Sequence, residues 1–117
     1  MRVTSSLWVG AFVRRCYTEG ATAMVVRRGA EEAGAIFIIM DRIDGVADLY
    51  GPAPQSSFDD ERPAERLFQK ITEGANPVAV NERLDREKRF DPDLWIVAVE
   101  DREGRLFFET VAEDRPR

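Results

Sequence analysis

The chain has 117 residues, of which 44% are hydrophobic and 33% are charged, which predicts one globular domain over residues 1–117. Acidic residues outnumber basic residues 22 to 17, and this balance argues against the basic surface that nucleic-acid-binding proteins carry. Histidine is absent and there is one cysteine, which excludes Ser-His and Cys-His catalytic pairs, a thiolate zinc site and an internal disulfide. We therefore expect no metal, no cofactor and no nucleic-acid partner.

The N-terminus has some features of a secretory signal, because Arg2 precedes a short apolar run at residues 7–13. Arg14, Arg15 and Glu19 follow that run before the small residues at 21–23, where a signal would carry no charge. No apolar stretch approaches the roughly 20 residues of a membrane span. The sequence predicts a cytoplasmic protein that does not associate with a membrane.

Residues 6–19 are predicted to form an amphipathic helix that Ser5 or Ser6 caps and Gly20 ends. Its apolar stripe repeats every fourth residue, at Trp8, Phe12 and Cys16. Because Cys16 lies within this stripe, we expect a buried and unreactive thiol.

The next segments predict strands. Residues 22–28 are rich in β-forming residues, and residues 35–41 are apolar on both alternating faces, as in a central strand. An Asp-Gly turn at 44–45 joins this strand to residues 46–50 in a first hairpin. Proline-rich residues 51–65 predict an irregular loop, and residues 66–72 fit either a helix or a strand, of which we favour the strand.

A second helix is predicted over residues 77–89, capped by Asn76 and lying on the surface, because only Val80 and Leu84 form an apolar stripe. Residues 94–100 and 105–111 then predict a second hairpin. The predicted fold is α+β: a mostly antiparallel sheet of two hairpins plus one or two further strands. This sheet packs on the amphipathic N-terminal helix, with the charged second helix at its margin.

The segment Asp91-Pro92-Asp93 has two interpretations. As a structural joint, Pro92 ends the helix, the two carboxylates bond to nearby backbone N–H groups, and Phe90 and Trp95 pack on the core. As a functional site, the two carboxylates would converge with other charged groups in a cleft. We favour the structural interpretation, and no calcium-loop spacing is present.

The paired arginines at 14–15 and 27–28 are the second candidate, since guanidinium groups bind phosphate and carboxylate ligands. Adjacent residues point in different directions on a helix and to opposite faces on a strand. We therefore expect one arginine of each pair to meet an internal carboxylate such as Asp91, Asp93 or Asp48. The residues retained as a candidate ligand-binding set are Arg14, Arg15, Asp91, Asp93 and Trp95.

Four segments resemble a family of small, mainly alphaproteobacterial proteins of unknown function: LWVGAFVRRC, RRGAEEAGAIFI, DLYGPAPQ and RFDPDLWIVAVED. They span most of residues 7–101, and the last is the most specific. The resemblance implies a bacterial cytosolic protein and supplies no catalytic residues. It marks as motif positions Arg14, Arg15, Asp91, Pro92, Asp93 and Trp95.

Two functions remain open from the sequence. The first is a non-enzymatic binding or protein-interaction module with a protein partner or as a homodimer, because sheet edges offer strands that pair with another chain. The alternative is a small enzyme or anionic-ligand binder that uses an arginine–carboxylate cleft near the FDPDLW segment.

Overall fold

The computed structural model describes residues 3–54 and 66–111. Its elements are α1 (Ser5–Thr18), β1 (Thr22–Arg27), β2 (Ile36–Asp41), β3 (Ala47–Pro52), β4 (Leu67–Ala75), α2 (Pro77–Phe90), β5 (Trp95–Glu100) and β6 (Glu109–Thr110). The strands form one sheet in the order β1-β5-β2-β3-β4-β6. The α+β prediction is confirmed, with a mixed sheet: β2 pairs with β5, and β4 with β6, in parallel, and the other pairings of the described strands are antiparallel.

The helices pack on opposite faces of the sheet, because the side chains of the central strands alternate. Ile36 and Ile38 of β2 join Phe12 of α1 in one apolar cluster. Phe37, between them, joins Leu84 of α2 in a second cluster. The two faces are named here the α1 face and the α2 face. Neither helix of the described ranges is long and apolar enough to cross a membrane.

The first helix begins one residue earlier than predicted. Thr4 is the N-cap, since its side chain accepts a hydrogen bond from the Leu7 N–H at 3.2 Å. Ser5 is instead buried, and its hydroxyl donates to the Gly34 carbonyl at 2.6 Å. Cys16 is fully buried as predicted, and burial raises the pKa of its thiol to about 11.

The first hairpin and the uncertain strand are both confirmed. β2 and β3 pair in antiparallel fashion around a turn in which Gly45 has a φ of +90°, a conformation that favours glycine. Residues 67–75 form β4, which pairs antiparallel with β3. The loop predicted at 51–65 is only partly observed, because β3 extends to Pro52 and residues 55–65 lie outside the described ranges.

The predicted second hairpin is wrong. β5 lies between β1 and β2, so both of its edges are occupied, and no place remains for a returning strand. The chain instead crosses the α1 face, where Phe107 is buried and the Phe108 ring lies 5.0 Å from the Tyr50 ring. The segment then pairs briefly with β4 as β6. Burial of Phe107 and partial burial of Phe108 outweigh the local turn signal.

The second helix follows its prediction closely. The Asn76 side chain accepts a hydrogen bond from the Ala79 N–H at 2.9 Å, and Pro77 occupies the first turn. Val80 and Leu84 are its buried residues, and the rest of its surface is exposed or half-buried. The helix ends at Phe90 and delivers the chain to the start of β5.

Candidate functional site

The joint at residues 91–93 is held by its own hydrogen bonds. The Asp91 carboxylate accepts from the Asp93 N–H at 3.0 Å, while the Asp91 N–H donates to the Glu87 carbonyl and closes α2. This is the turn role that the sequence predicts for Asp91. Trp95 packs in the core at 1% exposure, but Phe90 is 88% exposed, so its predicted packing is wrong.

A glycine loop, residues 29–34, closes over the joint. The Ala30 N–H donates to the Asp93 carbonyl at 2.8 Å, and the Trp95 indole N–H donates to the Ala30 carbonyl at 2.8 Å. A β-carbon at Gly29 would lie 2.1 Å from the Asp93 carbonyl oxygen, and one at Gly34 would lie 2.4 Å from it. Only glycine allows this close approach of two backbones.

The same loop caps the start of α1. The backbone N–H groups of Ser5 and Ser6 donate to the carbonyls of Glu32 and Glu31, at 3.0 and 2.9 Å. The first turn of a helix leaves such N–H groups without intrahelical partners, and here the loop supplies them. The backbone groups of this region therefore bond within the protein, and the joint is a structural connection.

The first arginine pair lies near the opposite end of β5 from the joint. Arg14 and Arg15 are exposed in the C-terminal half of α1, and the Arg15 guanidinium lies 6.0 Å from the centre of the Phe107 ring. Phe107 follows the end of β5, whereas Asp91 and Asp93 precede its start. The structure thus does not bring the arginines and carboxylates of the candidate set together.

The second arginine pair also meets none of the predicted carboxylates. Arg27 donates to the Leu94 carbonyl at 2.7 Å, and the Arg28 guanidinium lies 4.9 Å from the centre of the Trp95 ring. The two side chains lie on opposite faces, as strand alternation predicts. Asp48 pairs instead with Arg42 at 2.7 Å, across the first hairpin.

A groove of about 490 Å³ opens at the other end of the sheet, between the β2–β3 turn and residues 101–106. Its deepest charged group is Asp101, whose side chain is 2% exposed and pairs with Arg105 at 2.8 Å. Asp101 also accepts from the N–H groups of Glu103 and Arg105, and Arg105 donates to the Glu19 carbonyl at the end of α1. These bonds hold the pKa of Asp101 well below its usual range, the Arg105 side chain contributing most.

The Asp101–Arg105 contact fastens the chain after β5 to the end of α1, and sequence reasoning missed it. Aspartate and arginine four residues apart in a predicted turn gave no sign that the carboxylate would be buried. The described residues contain no cluster of three or more potential metal ligands. Asp101 and Arg105 are thus paired with each other, and their contact stabilises the wall of the groove.

A second, smaller cavity of about 250 Å³ lies beside β1 at the edge of the sheet, where Tyr17 of α1 also lines it, and is named here the acidic pocket. Its walls include Thr22, Met24, Asp41 and Glu100. Asp41 and Glu100 are register partners in adjacent strands, so their carboxylates project from the same face. Burial, and then the charge of Glu100, raise the pKa of Asp41.

Neither carboxylate of the acidic pocket has an ion-pair partner among the described residues. Two like charges beside each other without a cation are unfavourable in the free protein. The sequence placed both residues at the ends of apolar strands, but only the parallel pairing of β2 with β5 makes them neighbours. Sequence reasoning therefore missed the pair.

β1 borders this pocket and forms one edge of the sheet. Three successive apolar residues of this strand are exposed: Met24 at 59%, Val25 at 37% and Val26 at 55%. No strand of the described residues pairs with its outer edge, where the Tyr17 hydroxyl donates to the Ala23 carbonyl at 3.1 Å. The edge is thus apolar over residues 24–26 and basic at Arg27, and its first residue, Thr22, lies beside Glu100 of β5.

The chain matches a family model described as a protein of unknown function, DUF1491, over residues 3–109. No curated protein matches it. A solution structure of a protein from A. tumefaciens is 41% identical, with a TM-score of 0.80, and the match covers 100% of this chain and 99% of that one. A crystal structure of a DUF1491 family protein from Caulobacter crescentus CB15 is 31% identical, with a TM-score of 0.75, and the match covers 96% of this chain and 100% of that one. The chain therefore belongs to the DUF1491 family, whose function is unknown.

Proposed function

We propose that the protein is a non-enzymatic binding module of the bacterial cytoplasm that takes up an extended polypeptide segment along the edge of β1. The observation that carries this proposal is the run of three exposed apolar residues on an edge strand, Met24 to Val26. Natural edge strands are usually protected by charged residues, proline or a covering element, because an open edge pairs with other chains. An apolar open edge is therefore a feature typical of a strand-addition site.

The acidic pocket gives this edge a preference for a segment that carries a basic residue. In strand addition the backbone bonds supply affinity and pockets for alternate side chains supply specificity. Asp41 and Glu100 have no cation beside them among residues 3–54 and 66–111, so a lysine or arginine of the bound segment would relieve their repulsion. The proposed ligand class is an extended segment with small or branched apolar residues and a basic residue.

The alternative of a small enzyme or anionic-ligand binder beside Asp91 and Asp93 has less support. That site needs Arg14 or Arg15 near the joint, and Arg15 instead packs on Phe107 beyond the other end of β5. The Asp93 carbonyl and the Trp95 indole N–H are also bonded to the glycine loop.

A peptide titration of isotope-labelled protein, followed by amide NMR shifts, tests the proposal. The probes are two ten-residue peptides of alternating threonine and valine, one carrying two lysines and the other two glutamates. We expect the lysine peptide to shift the amides of residues 22–27 and the glutamate peptide to bind more weakly.

Two exposed valines provide matched variants for this titration. Val26→Lys places a charge on the edge and should weaken the lysine peptide at least roughly fivefold, since like charges on paired strands repel. Val78→Lys adds the same charge on α2, where Val78 is 65% exposed, and should leave binding unchanged. Shifts confined to the joint or to the groove near Asp101 would contradict the proposal.

A further inference from the structure

We propose that the segment that β1 receives is β1 of a second copy of this chain, so that two copies join their sheets about a two-fold axis. The inference rests on the proposed function of the β1 edge and names its occupant. In this arrangement Arg27 of each copy reaches the acidic pocket of the other, next to Asp41 and Glu100.

The chemistry of β1 is complementary to itself. One end of the strand, at Thr22, adjoins Glu100 on the neighbouring strand, and the other end is Arg27. Antiparallel pairing reverses the direction of the second copy, so the basic end of each strand meets the acidic end of the other. The apolar residues between these ends then cover each other, which removes their exposed surface from water.

A bulge in β1 places Arg27 on the required face. Val25 pairs with Val97 and Arg27 pairs with Ile96, so Val26 is the extra residue. Ile96 belongs to the α2 face, and Arg27 therefore lies on that face with Met24 and Thr22. Without the bulge, Arg27 would stand opposite Trp95 and point to the α1 face, away from the acidic pocket.

The register of the pair follows from these faces. A two-fold axis perpendicular to the sheet keeps the α2 faces of both copies on one side, so residues opposite each other must belong to the same face. Pairing centred on Met24 satisfies this condition and sets Met24 against its own counterpart. Thr22 then lies opposite the bulge at Val26 and Arg27, with Glu100 one strand further in, about 4.8 Å from β1.

Neither helix covers the full length of the edge. α2 packs over β3 and β4. α1 packs on β1 and its Tyr17 hydroxyl bonds to the Ala23 carbonyl at the edge, but the helix leaves Val25, on its own face, 37% exposed. On pairing, Ala23 exchanges the hydroxyl of the exposed Tyr17 for a backbone N–H, and Arg27 exchanges the Leu94 carbonyl for a carboxylate, a stronger charge-assisted partner.

Sedimentation velocity over a concentration series from micromolar to millimolar tests the inference. A six-residue edge buries less than a standard interface, so we expect a weak dimer whose average mass rises from 13.3 kDa toward twice that value. Raising the salt concentration should lower the dimer fraction, because the ends of the pair are held by exposed charges.

Four variants locate the contact. Met24→Lys sets two lysines against each other at the axis and should leave a monomer, while Val78→Lys should behave as the parent. Glu100→Arg fills the acidic pocket with a cation of the same chain and should also leave a monomer. Combining it with Arg27→Glu reverses both charges and should restore the dimer, and a thermal melt of each variant verifies that it is folded.

The outcomes separate this inference from the proposed function. A parent protein that stays at 13.3 kDa throughout overturns self-pairing, as does a dimer that Met24→Lys leaves intact. If such a monomer still binds the lysine peptide along residues 22–27, the edge is a site for another polypeptide, and the proposed function stands. If the peptide produces no shifts either, both proposals fail.

Discussion

The two ends of β5 differ in how their polar groups are satisfied. Before Trp95, the Asp93 carbonyl and the indole N–H are bonded to the glycine loop, and the Asp91 carboxylate is bonded to its own turn. At the last residue of the strand, on the α2 face, Glu100 lies beside Asp41 with no cation among the described residues, and the pKa of Asp41 is raised. The polar groups before Trp95 thus have partners within the protein, whereas Asp41 and Glu100 have no cation beside them among the described residues.

The sequence draws attention to the start of β5 as a candidate site, whereas the structure draws attention to its end. The FDPDLW segment is the most distinctive stretch of the chain, yet its residues after the exposed Phe90 contribute mainly packing and backbone bonding. The acidic pocket is formed by two ordinary strand ends, and it lies beside an apolar edge. Here the distinctive local pattern marks a demanding backbone geometry, whereas two adjacent carboxylates without a cation are the feature on which the proposed binding rests.

The largest effect is expected from closing the space at the joint with Gly29→Ala. The added β-carbon would lie 2.1 Å from the Asp93 carbonyl oxygen and 2.6 Å from the Leu94 backbone, so the two segments must separate. We expect a loss of about 3 kcal/mol in the free energy of unfolding, at the upper end of typical overpacking costs. Urea unfolding followed by circular dichroism measures it.

Gly10→Ala provides the matched control within α1. Its β-carbon would approach no closer than 3.6 Å, to the flexible end of Arg14, and the position is inside a helix. This variant should gain about 0.5–1 kcal/mol, because alanine loses less backbone entropy than glycine. A Gly29→Ala protein as stable as the parent would show that the loop does not press on the joint.

A smaller loss of stability is expected from Asp101→Asn. Asp101 lies on the α1 face, just after the end of β5. The pKa of Asp101 is lowered mainly by its hydrogen bond with Arg105, so the ionised form stabilises the fold above the unfolded pKa near 3.8. The stabilisation disappears as the pH falls through the lower folded pKa. The variant should therefore melt several degrees below the parent at neutral pH, and the two curves should converge in strong acid.

Glu103→Gln distinguishes the buried ion pair from its exposed neighbour. Glu103 is 75% exposed and lies 3.4 Å from Arg105, so its charge is screened by water. We expect the melting temperature of the Glu103→Gln protein to equal that of the parent at each pH of the same series. Equal losses for both variants would mean that burial of Asp101 adds nothing to the contact.

The sequence predicts the helices and the β2–β3 hairpin because their signals are local. Asn76 before Pro77 starts α2, and Asp44-Gly45 turns the chain, whatever else the protein does. The predicted second hairpin fails because the competition for the edges of β5 is a property of the whole sheet. Local turn chemistry cannot reveal that β1 and β2 already occupy both edges.

The candidate site shows the same limit. Arg14, Arg15, Asp91 and Asp93 are prominent as charged residues, but sequence order gives no distance between α1 and the joint. Asp41 and Glu100 are neighbours only because β2 and β5, which are about sixty residues apart in the chain, pair in parallel. Residues that become neighbours only through such a pairing carry no local signal.

Asp41→Asn is expected to have the smallest effect on stability and an opposite effect on binding. Because the folded pKa of Asp41 lies above its unfolded value, the ionised carboxylate costs stability at neutral pH and costs nothing below the unfolded pKa near 3.8. Asparagine removes this cost, so the variant should gain a few tenths of a kcal/mol at pH 7, since exposed charges are screened. The gain over the parent should vanish in acid.

The same change removes a charge that the proposed partner meets, so the lysine peptide should bind Asp41→Asn more weakly than the parent even as the fold is stabilised. Glu82→Gln, on the exposed side of α2, removes one negative charge far from β1 and should alter neither quantity. Parallel thermal melts and peptide titrations of the three proteins measure both effects. A variant that lost stability and kept its affinity would mean that Asp41 has a structural role and does not contact the peptide. A gain in stability with a loss of affinity is the signature of a charge kept for a partner.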